Sequence, residues 1–492
     1  MTDDHLFSEF EPIDYQTWYD TTVKSLKGKD FETLLMETYE GITLQPMYRR
    51  EDTADINHQY SAPGDKPYGR GIDADKRGWW IAADLPYRDA AQFNQALQYD
   101  MARGQTAVFL DTTRTNASGD NFLVALKGVD TRTTPVLLKS ADTGIGAMAV
   151  MNMLLEHAYE HCNKQESGLT GYINNDLLAL LATTGGLPIS IEEALRLSAK
   201  PVNWVDEIHP DLKVLMVDTA PYHHAGANAV QELAFALATG AEYIRATLTY
   251  EKFVDIDIVA SAMGFNFVIG TQFFMEVAKL RAARLLWTQV IAAFGGDENS
   301  QKMTIHAQTS RYNKTVADAH TNILRTTLET LAAGVGGAQS LVVSAFDSAY
   351  QQPDAFSRRV ARNQQLILQQ EVNLTKLVDP MGGAWFGETL TDELAKRAWA
   401  LFQQIEAQGG MVAALQNGFI QQQCAETAAK RLDNMKSGKD VLVGATKYQD
   451  ETANIPTVSQ PPHASVHDYP RIRVSALDIH TLEARFNELV DK

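Results

Sequence analysis

The sequence predicts an α/β fold in which parallel strands are covered by helices and closed into a large barrel. The strongest evidence lies between residues 265 and 344, where strand and helix patterns alternate with short connections. Helix patterns span 273–294 and 318–333, where apolar residues recur at steps of three and four. Short apolar runs predict strands at Phe265–Ile269, Met303–Ala307 and Ser340–Ser344. A length of 492 residues suits a large barrel with additions.

Earlier segments extend this pattern towards the N-terminus. Further strand candidates are Trp79–Leu85, Thr106–Leu110, Pro135–Leu138 and Val214–Asp218. Helix patterns fall at 89–102, 146–158 and 228–240. Parallel barrels place their chemistry on the loops that follow the strands, so the loops to inspect begin at Thr219, Gly270, Gln308 and Ser344.

Four segments follow from the changes of pattern along the chain. Residues 1–72 form an arm with scattered aromatic residues, 73–353 form the barrel, and 354–453 are dominated by helical patterns. Residues 454–492 begin with a stretch rich in Pro, Ser and Thr, which predicts a linker followed by a short tail.

Composition excludes several classes of protein. The net charge of −18 argues against nucleic-acid binding, which needs clustered Lys and Arg. Cys162 and Cys424 lie too far apart in sequence for a metal motif, and free thiols favour a reducing compartment. The N-terminus lacks a signal or transit pattern, and no apolar run approaches the ~20 residues of a membrane span. We therefore expect a cytoplasmic protein.

Several sequence words resemble those of the adenosylcobalamin-dependent acyl-CoA mutases, the methylmalonyl-CoA mutase family. They are Phe274–Trp287, His306–Ser310, Ala338–Leu341, Arg359–Asn363 and Val378–Gly383. The resemblance implies a (β/α)8 TIM-type barrel with a C-terminal helical region. It also implies that the arm of residues 1–72 wraps a neighbouring subunit.

The cobalamin-binding part of that family is expected to be missing. Asp478-Ile-His480 resembles the first half of the family's cofactor word, but Glu483 stands where the word requires Gly. Only twelve residues follow His480, too few for a cobalamin-binding domain. Asp478 is instead interpreted as the N-cap of a short helix.

Two words of the family's substrate site also differ. In the word that carries the family's barrel tyrosine, Asp84 occupies the tyrosine position and Ala82 replaces an arginine. Tyr222 and the substrate histidine, His223, are retained, but their loop is two residues shorter and lacks a glutamate. At roughly 3.3 Å per residue, we expect the deletion to displace the imidazole by several ångströms.

The words that contact the CoA thioester are partly retained. His306, Gln308 and Ser310 match the family, whereas Arg311 replaces a glycine and Val342 replaces a histidine. Thr304 replaces an arginine in the same word. We interpret this pattern as a chain that keeps the family's architecture but not its chemistry. Asp84, His223 and Val342 are then degenerate catalytic positions. Relic substrate contacts are assigned to Tyr222, His306, Gln308 and Ser310, with no cofactor or metal ligands.

The resemblance therefore predicts a small, non-catalytic subunit of a heterodimeric mutase. Adenosylcobalamin and the acyl-CoA substrate are expected on a catalytic large subunit. Two alternatives stay open, namely a catalytic chain that uses a separate cobalamin-binding chain, and a scaffold or chaperone of a mutase.

Overall fold

A computed structural model describes most of the chain. The described residues are 13–75, 78–85, 89–111, 119–139, 152–154, 169–208, 211–450, 455–458 and 472–490. Most of the predicted 146–158 helix, Cys162 and most of the predicted linker lie outside them.

Strands lie at every position where the sequence predicts one. In chain order they are β1 (Met36–Glu37), β2 (Thr43–Leu44), β3 (Trp80–Ala83), β4 (Val108–Asp111), β5 (Val136–Lys139), β6 (Gly171–Asn174), β7 (Gly186–Leu187), β8 (Leu212–Lys213), β9 (Leu215–Asp218), β10 (Met263–Ile269), β11 (Ile305–Thr309), β12 (Ser340–Val343) and β13 (Ile472–Arg473). Of the strands in the main sheets, β6 and the short β8 were not predicted.

The main strands form two parallel ladders in barrel order. One ladder runs β3-β12-β11-β10-β9 and the other runs β4-β5-β6-β8. The backbone amides of Thr106 and Ala107 donate to the Ile81 carbonyl at 2.9 and 3.0 Å, which joins β3 to the start of β4. The Asn174 amide donates to Asp218 at 2.9 Å, which joins β6 to β9. This is the strand order of a (β/α)8 TIM-type barrel, so the predicted fold class is confirmed.

Helices follow most of the strands. They are α1 (Tyr15–Ser25), α2 (Ala90–Met101), α3 (Gly119–Ala125), α4 (Leu177–Thr184), α5 (Ile191–Ile208), α6 (Ala220–His224), α7 (Ala229–Tyr250), α8 (Ile256–Ser261), α9 (Phe273–Phe294), α10 (Asn322–Val335), α11 (Ala355–Gln370), α12 (Trp385–Ala407), α13 (Gly410–Gln416), α14 (Phe419–Lys436) and α15 (Leu482–Val490). Aspartates cap several of them, as Asp176 does for α4 by accepting from the amides of Leu178 and Ala179. Gly295 ends α9 in a left-handed conformation, with φ of 88°.

The main core lies between the barrel strands and the surrounding helices. Phe265 and Phe267 of β10 point outwards, and the Phe265 ring meets Trp287 of α9 at 4.6 Å between centroids. Side chains alternate across a strand, so the residues between these two point into the barrel. Glycine at position 240 of α7 lets Trp287 approach, because a Cβ there would lie 2.8 Å from the indole.

Much of the arm lies on its own barrel. Arg284 of α9 donates to the carbonyls of Tyr68 and Gly69 at 3.0 and 3.3 Å, and Arg70 pairs with Asp379 at 3.0 Å. Helix α1, by contrast, has no buried residue, and its aromatic residues cluster with Phe31. The contact of the arm with a neighbouring subunit stays a prediction, now best attributed to α1.

Candidate functional site

Polar side chains form a ring at the carboxyl ends of the barrel strands. Each lies two positions after an inward-facing residue, so the alternation of the strand directs it into the mouth of the barrel. The polar ring consists of Asp84, Asp111, Lys139, Asn174, Asp218, Gln308 and Ser344. Active sites of such barrels lie at this end, and the ring is therefore the place to compare with the predicted site residues.

An apolar layer crosses the barrel directly below the polar ring. This inner layer consists of Ala82, Ala107, Phe109, Leu137, Tyr172, Met216 and Val342. It is a cluster separate from the main core, and all of its members are buried. Val342, one of the predicted degenerate positions, thus serves as packing in the barrel interior.

His306 lies beside the inner layer. Its ring meets Tyr172 at 4.7 Å between centroids, and its Nδ1 lies 2.8 Å from Ser340 Oγ. Among the described residues, its buried Nε2 has no hydrogen-bond partner. Burial lowers the pKa of His306 to about 3, which keeps the imidazole neutral near pH 7. A neutral, enclosed ring of this kind can hold a hydrogen bond but cannot supply a cation to an acyl-CoA.

Asp84 and Arg311 form an ion pair at the mouth of the barrel. Arg311 Nη2 lies 3.1 Å from Asp84 Oδ2, and Asp84 is only 4% exposed. The Arg311 amide also lies 3.5 Å from His224 Nε2. Two of the sequence positions that depart from the family are therefore joined to each other, although 227 positions separate them.

His223 binds protein groups through both of its ring nitrogens. Its Nδ1 lies 2.7 Å from Glu232 Oε1, and its Nε2 lies 2.8 Å from Ser310 Oγ. His223 lies on α6 directly after β9, Glu232 on the first turns of α7, and Ser310 directly after β11. The Ser310 hydroxyl also accepts from the Tyr312 amide at 3.1 Å. The structure thus brings together His223 and Ser310, and it adds Glu232, which sequence reasoning missed.

A buried cluster of charges supports Glu232. Lys279 Nζ lies 3.2 Å from Glu232 Oε2 and 2.5 Å from Glu276 Oε2, and it donates to the Val268 carbonyl at 2.7 Å. Burial alone would raise the pKa of Glu232, but Lys279 and His223 outweigh it and lower that pKa. Burial likewise opposes the charge of Lys279, but the two glutamates raise its pKa. Glu232 and Lys279 are therefore both ionised in the folded protein.

The Ser310–His223–Glu232 chain has the connectivity of a hydrolytic triad. Ser310 is 0% exposed, however, and its oxygen already accepts from a backbone amide. A nucleophile must reach its substrate, so this arrangement acts as a fixed hydrogen-bond network. It holds the loop after β11 against α6 and α7.

Tyr222 lies away from the polar ring. Its ring packs on Phe235 of α7 at 5.2 Å between centroids, within the main core. Burial raises the pKa of Tyr222 well above its ordinary value. Gln308, by contrast, lies in the polar ring and is partly exposed. Of the four relic contacts predicted from sequence, the structure therefore directs His306, Gln308 and Ser310 towards the barrel axis and packs Tyr222 outside it.

A second carboxylate network was not predicted. Asp218 accepts from the side-chain amides of Asn174 and Asn266 at 2.9 and 2.6 Å. Asp176 accepts from the Asp218 amide at 2.8 Å and from the Tyr243 hydroxyl at 2.6 Å. Burial raises the pKa of Asp176 to about 6. The sequence signal was the Asn-Asn-Asp run before the apolar α4, which is typical of a helix N-cap.

In the described tail, His480 and Glu483 both bond to other groups of the chain. His480 Nε2 lies 2.9 Å from Asp478 Oδ1, within the tail itself. Glu483, which stands at the glycine position, accepts from the amides of Val316 and Ala317 at 2.6 and 3.1 Å. Glu483 thus ties the tail to the loop after β11 and puts an anchored carboxylate where the resembled cofactor word requires Gly, so these residues do not fit that word.

Neither a metal centre nor a membrane-spanning helix is found among the described residues. No group of three or more His, Cys, Asp or Glu side chains there could hold a metal ion. Across the same part of the chain, none of the helices is long and apolar enough to cross a membrane.

Comparison with known proteins gives one consistent result. The family model described as methylmalonyl-CoA mutase matches residues 37–478. The chain is 33% identical to the methylmalonyl-CoA mutase of Cereibacter sphaeroides, over 89% of this chain and 64% of that protein. It is 32% identical to the methylmalonyl-CoA mutase small subunit of Porphyromonas gingivalis, over 91% and 71% of the two chains. It is also 34% identical to the small subunit of the Streptomyces virginiae mutase, over 95% and 76%.

Proposed function

The chain belongs to the methylmalonyl-CoA mutase family, and from this premise we propose that it is the small, non-catalytic subunit of a heterodimeric mutase. The assembled enzyme interconverts methylmalonyl-CoA and succinyl-CoA by a radical rearrangement of the carbon skeleton. A catalytic large subunit carries the adenosylcobalamin and the acyl-CoA. This chain supplies a second barrel that holds the large subunit in its active form.

The Asp84–Arg311 ion pair carries this proposal. Both residues lie at the mouth of the barrel, where substrate groups would have to bind, and each neutralises the other at 3.1 Å. An acid and a base that satisfy each other offer no free charge to a thioester or a carboxylate. In the resembled family these two positions are a tyrosine and a glycine. The ion pair that replaces them agrees with a barrel mouth that no longer performs chemistry.

The other polar groups at the mouth support the same conclusion. Both nitrogens of His223 bind protein groups, and His306 is held neutral by burial. The packed inner layer supports the proposal less strongly than the ion pair does, because the interiors of TIM barrels are normally filled with side chains. The names of two relatives as small subunits agree with the proposal, whereas the Cereibacter relative is named as a mutase without a subunit.

One observation favours a second candidate. His223 and Ser310 meet at 2.8 Å despite the shortened loop, so part of the retained site is organised. A catalytic large subunit that uses a separate cobalamin-binding chain would need such an organised histidine. The Asp84–Arg311 pair argues against it, because that subunit would need its tyrosine.

An isomerase assay separates the candidates. The purified chain is mixed with methylmalonyl-CoA and adenosylcobalamin, first alone, then with an isolated cobalamin-binding chain, and then with a mutase large subunit. Turnover only with the large subunit, in a one-to-one complex on size exclusion, is the expected result. Turnover alone or with the cobalamin-binding chain would refute the non-catalytic role, and transient or substoichiometric binding would indicate a chaperone.

A further inference from the structure

The tail is fastened to the barrel beside α14. The Leu482 amide, at the start of α15, donates to the Tyr312 carbonyl at 2.7 Å. The Gln421 side chain of α14 donates to the Ser475 carbonyl at 2.8 Å. Tyr312 lies in the loop after β11, so three separate parts of the chain meet here, namely that loop, α14 and the tail.

Three buried donor groups at this junction have no acceptor. Within the described part of the chain, the Tyr312 hydroxyl and the Nε atoms of Arg431 and Arg485 are buried and make no hydrogen bond. Tyr312 is 6% exposed and Arg485 is 9% exposed. We call these three residues the tail seam. A buried donor without an acceptor destabilises the folded chain, so three of them in one place indicate a binding site for an acceptor.

The packing around Gly226 places the phenol against α14. A Cβ at Gly226 would lie 2.7 Å from the Cβ of Ala428 and 3.2 Å from the Tyr312 hydroxyl oxygen. Arg431 is three positions after Ala428 and therefore lies on the same face of α14. The Tyr312 hydroxyl and the Arg431 side chain thus meet on one side of this helix.

Arg485 reaches the same place from the tail. It is three positions after Leu482, whose amide bonds the Tyr312 carbonyl, so both lie on one face of α15. Burial raises the pKa of Tyr312, and the charges of Arg431 and Arg485 act in the opposite direction. Both guanidinium groups are therefore close enough to the phenol to interact with it.

The tail seam carries positive charge that its carboxylates do not balance. Arg485 pairs with Asp478 at 3.3 Å, but the Asp478 side chain is 67% exposed. Arg431 forms no ion pair with a described residue, and its guanidinium lies 4.4 Å from the centroid of the Tyr39 ring. Guanidinium N–H and phenol O–H groups are strong donors to an oxyanion, because such hydrogen bonds are charge-assisted.

We propose that the tail seam binds a phosphate group, held by Tyr312, Arg431 and Arg485. The oxygens of a phosphate point in several directions from one centre, which suits donors that come from three elements. A planar carboxylate suits a single guanidinium fork better. Because Arg485 belongs to the tail, the bound phosphate also fastens the tail to α14 and to the loop after β11. This site is independent of the role of the chain in a mutase.

Two variants and a matched control test the site. Tyr312→Phe removes only the hydroxyl and keeps the backbone bonds of that residue, and Arg431→Gln removes one guanidinium. Lys430→Gln is the control, because Lys430 is the exposed neighbour of Arg431 on α14 and lies outside the tail seam. The purified full chain is titrated calorimetrically with inorganic phosphate at constant ionic strength, with acetate as the carboxylate probe and ADP as the nucleotide probe. Hydrogen exchange of the Leu482 amide is measured with and without phosphate.

We expect phosphate to bind the wild type and to slow exchange of the Leu482 amide. Tyr312→Phe and Arg431→Gln should each raise the Kd for phosphate by at least about 10-fold, since each removes a charge-assisted hydrogen bond or its cation. Lys430→Gln should bind phosphate like the wild type. Without phosphate, Tyr312→Phe should be as stable as the wild type in urea unfolding, because the lost hydroxyl has no partner. ADP that binds more tightly than phosphate would assign the phosphate to a nucleotide, and equal affinity would assign it to free phosphate.

Three outcomes would overturn the proposal. The first is that phosphate neither binds nor slows exchange of the Leu482 amide, which would mean that water alone solvates these donors. The second is an equal loss of affinity in Lys430→Gln, which would mean that phosphate responds only to the general charge of α14. The third is acetate binding as tight as phosphate binding, which would assign the tail seam to a carboxylate.

Discussion

Replacing Lys279 by methionine tests the charge cluster that supports His223. Lys279 has 0% exposure, and its ammonium contacts Glu232 and Glu276 at 3.2 and 2.5 Å. Methionine keeps most of the side-chain volume but leaves two buried carboxylates without their cation. Removing one partner of a buried ion pair costs about 3–5 kcal/mol, so we expect a loss of that size in the free energy of unfolding.

The pH dependence of the loss gives a sharper test. In the wild type the pKa of Glu232 is lowered, so its stabilising contribution is present above the ordinary pKa and lost as pH falls through the lowered pKa. Without Lys279, burial raises the pKa of Glu232. The folded state then binds a proton on Glu232 that the unfolded state has released near neutral pH. The variant should therefore become more stable as pH falls from about 8 to about 5, the opposite sign to this group in the wild type.

Urea unfolding at several pH values, followed by tryptophan fluorescence, measures both effects. The double variant Glu232→Gln with Lys279→Met is the control, because it removes a stranded carboxylate together with the cation. It should recover part of the lost stability and flatten the pH dependence. A loss below about 1 kcal/mol in Lys279→Met, or stability that falls on acidification, would refute the reasoning.

Three further predictions address the mouth, the tail and the arm. Asp84→Asn in the assembled enzyme should leave isomerase turnover nearly unchanged, and a hundredfold loss would place Asp84 in a working site. Glu483→Ala should leave the Val316 and Ala317 amides without an acceptor, at a cost of about 1–3 kcal/mol in the free energy of unfolding. Hydrogen exchange of these two amides should become faster, whereas the control Glu488→Ala should leave it unchanged. Unchanged exchange in Glu483→Ala would contradict the prediction. Removing residues 1–29 deletes α1 but keeps the contacts of Tyr39 and Glu40 with the barrel. This truncation should split the complex with the large subunit, as measured by size exclusion. An intact complex would contradict the role of α1.

The strands that the sequence predicted correctly share one property. Each presents apolar residues to the helices, and in β3, β4, β5, β9 and β12 the opposite face also contributes an apolar residue to the inner layer. Strand β6 escaped prediction, since Gly171–Asn174 is four residues long, begins with glycine and ends with a polar residue. Its ladders with β5, in which Ile173 pairs with Leu138, and with β8 make it a strand.

At the site, the sequence did not predict contacts between residues that lie far apart in the chain. The sequence identified Asp84 and Arg311 separately as departures from the family. Their contact follows from the register that places Val342 beside both Ala82 and Gln308, so that the ends of β3 and β11 lie on either side of β12. No pattern within one strand contains that information, because it depends on how three strands align.

The expected displacement of His223 shows how local geometry changes a conclusion. The estimate of several ångströms assumed an extended chain, but residues 220–224 form α6. A helix advances only about 1.5 Å per residue, so a loss of two residues there moves the chain less than in an extended loop. Glu232, nine positions after His223, then supplies a carboxylate from α7, where the sequence had suggested that a glutamate was lost. His223 is thus fixed in position with both ring nitrogens bonded to protein groups, which agrees with the proposed non-catalytic role.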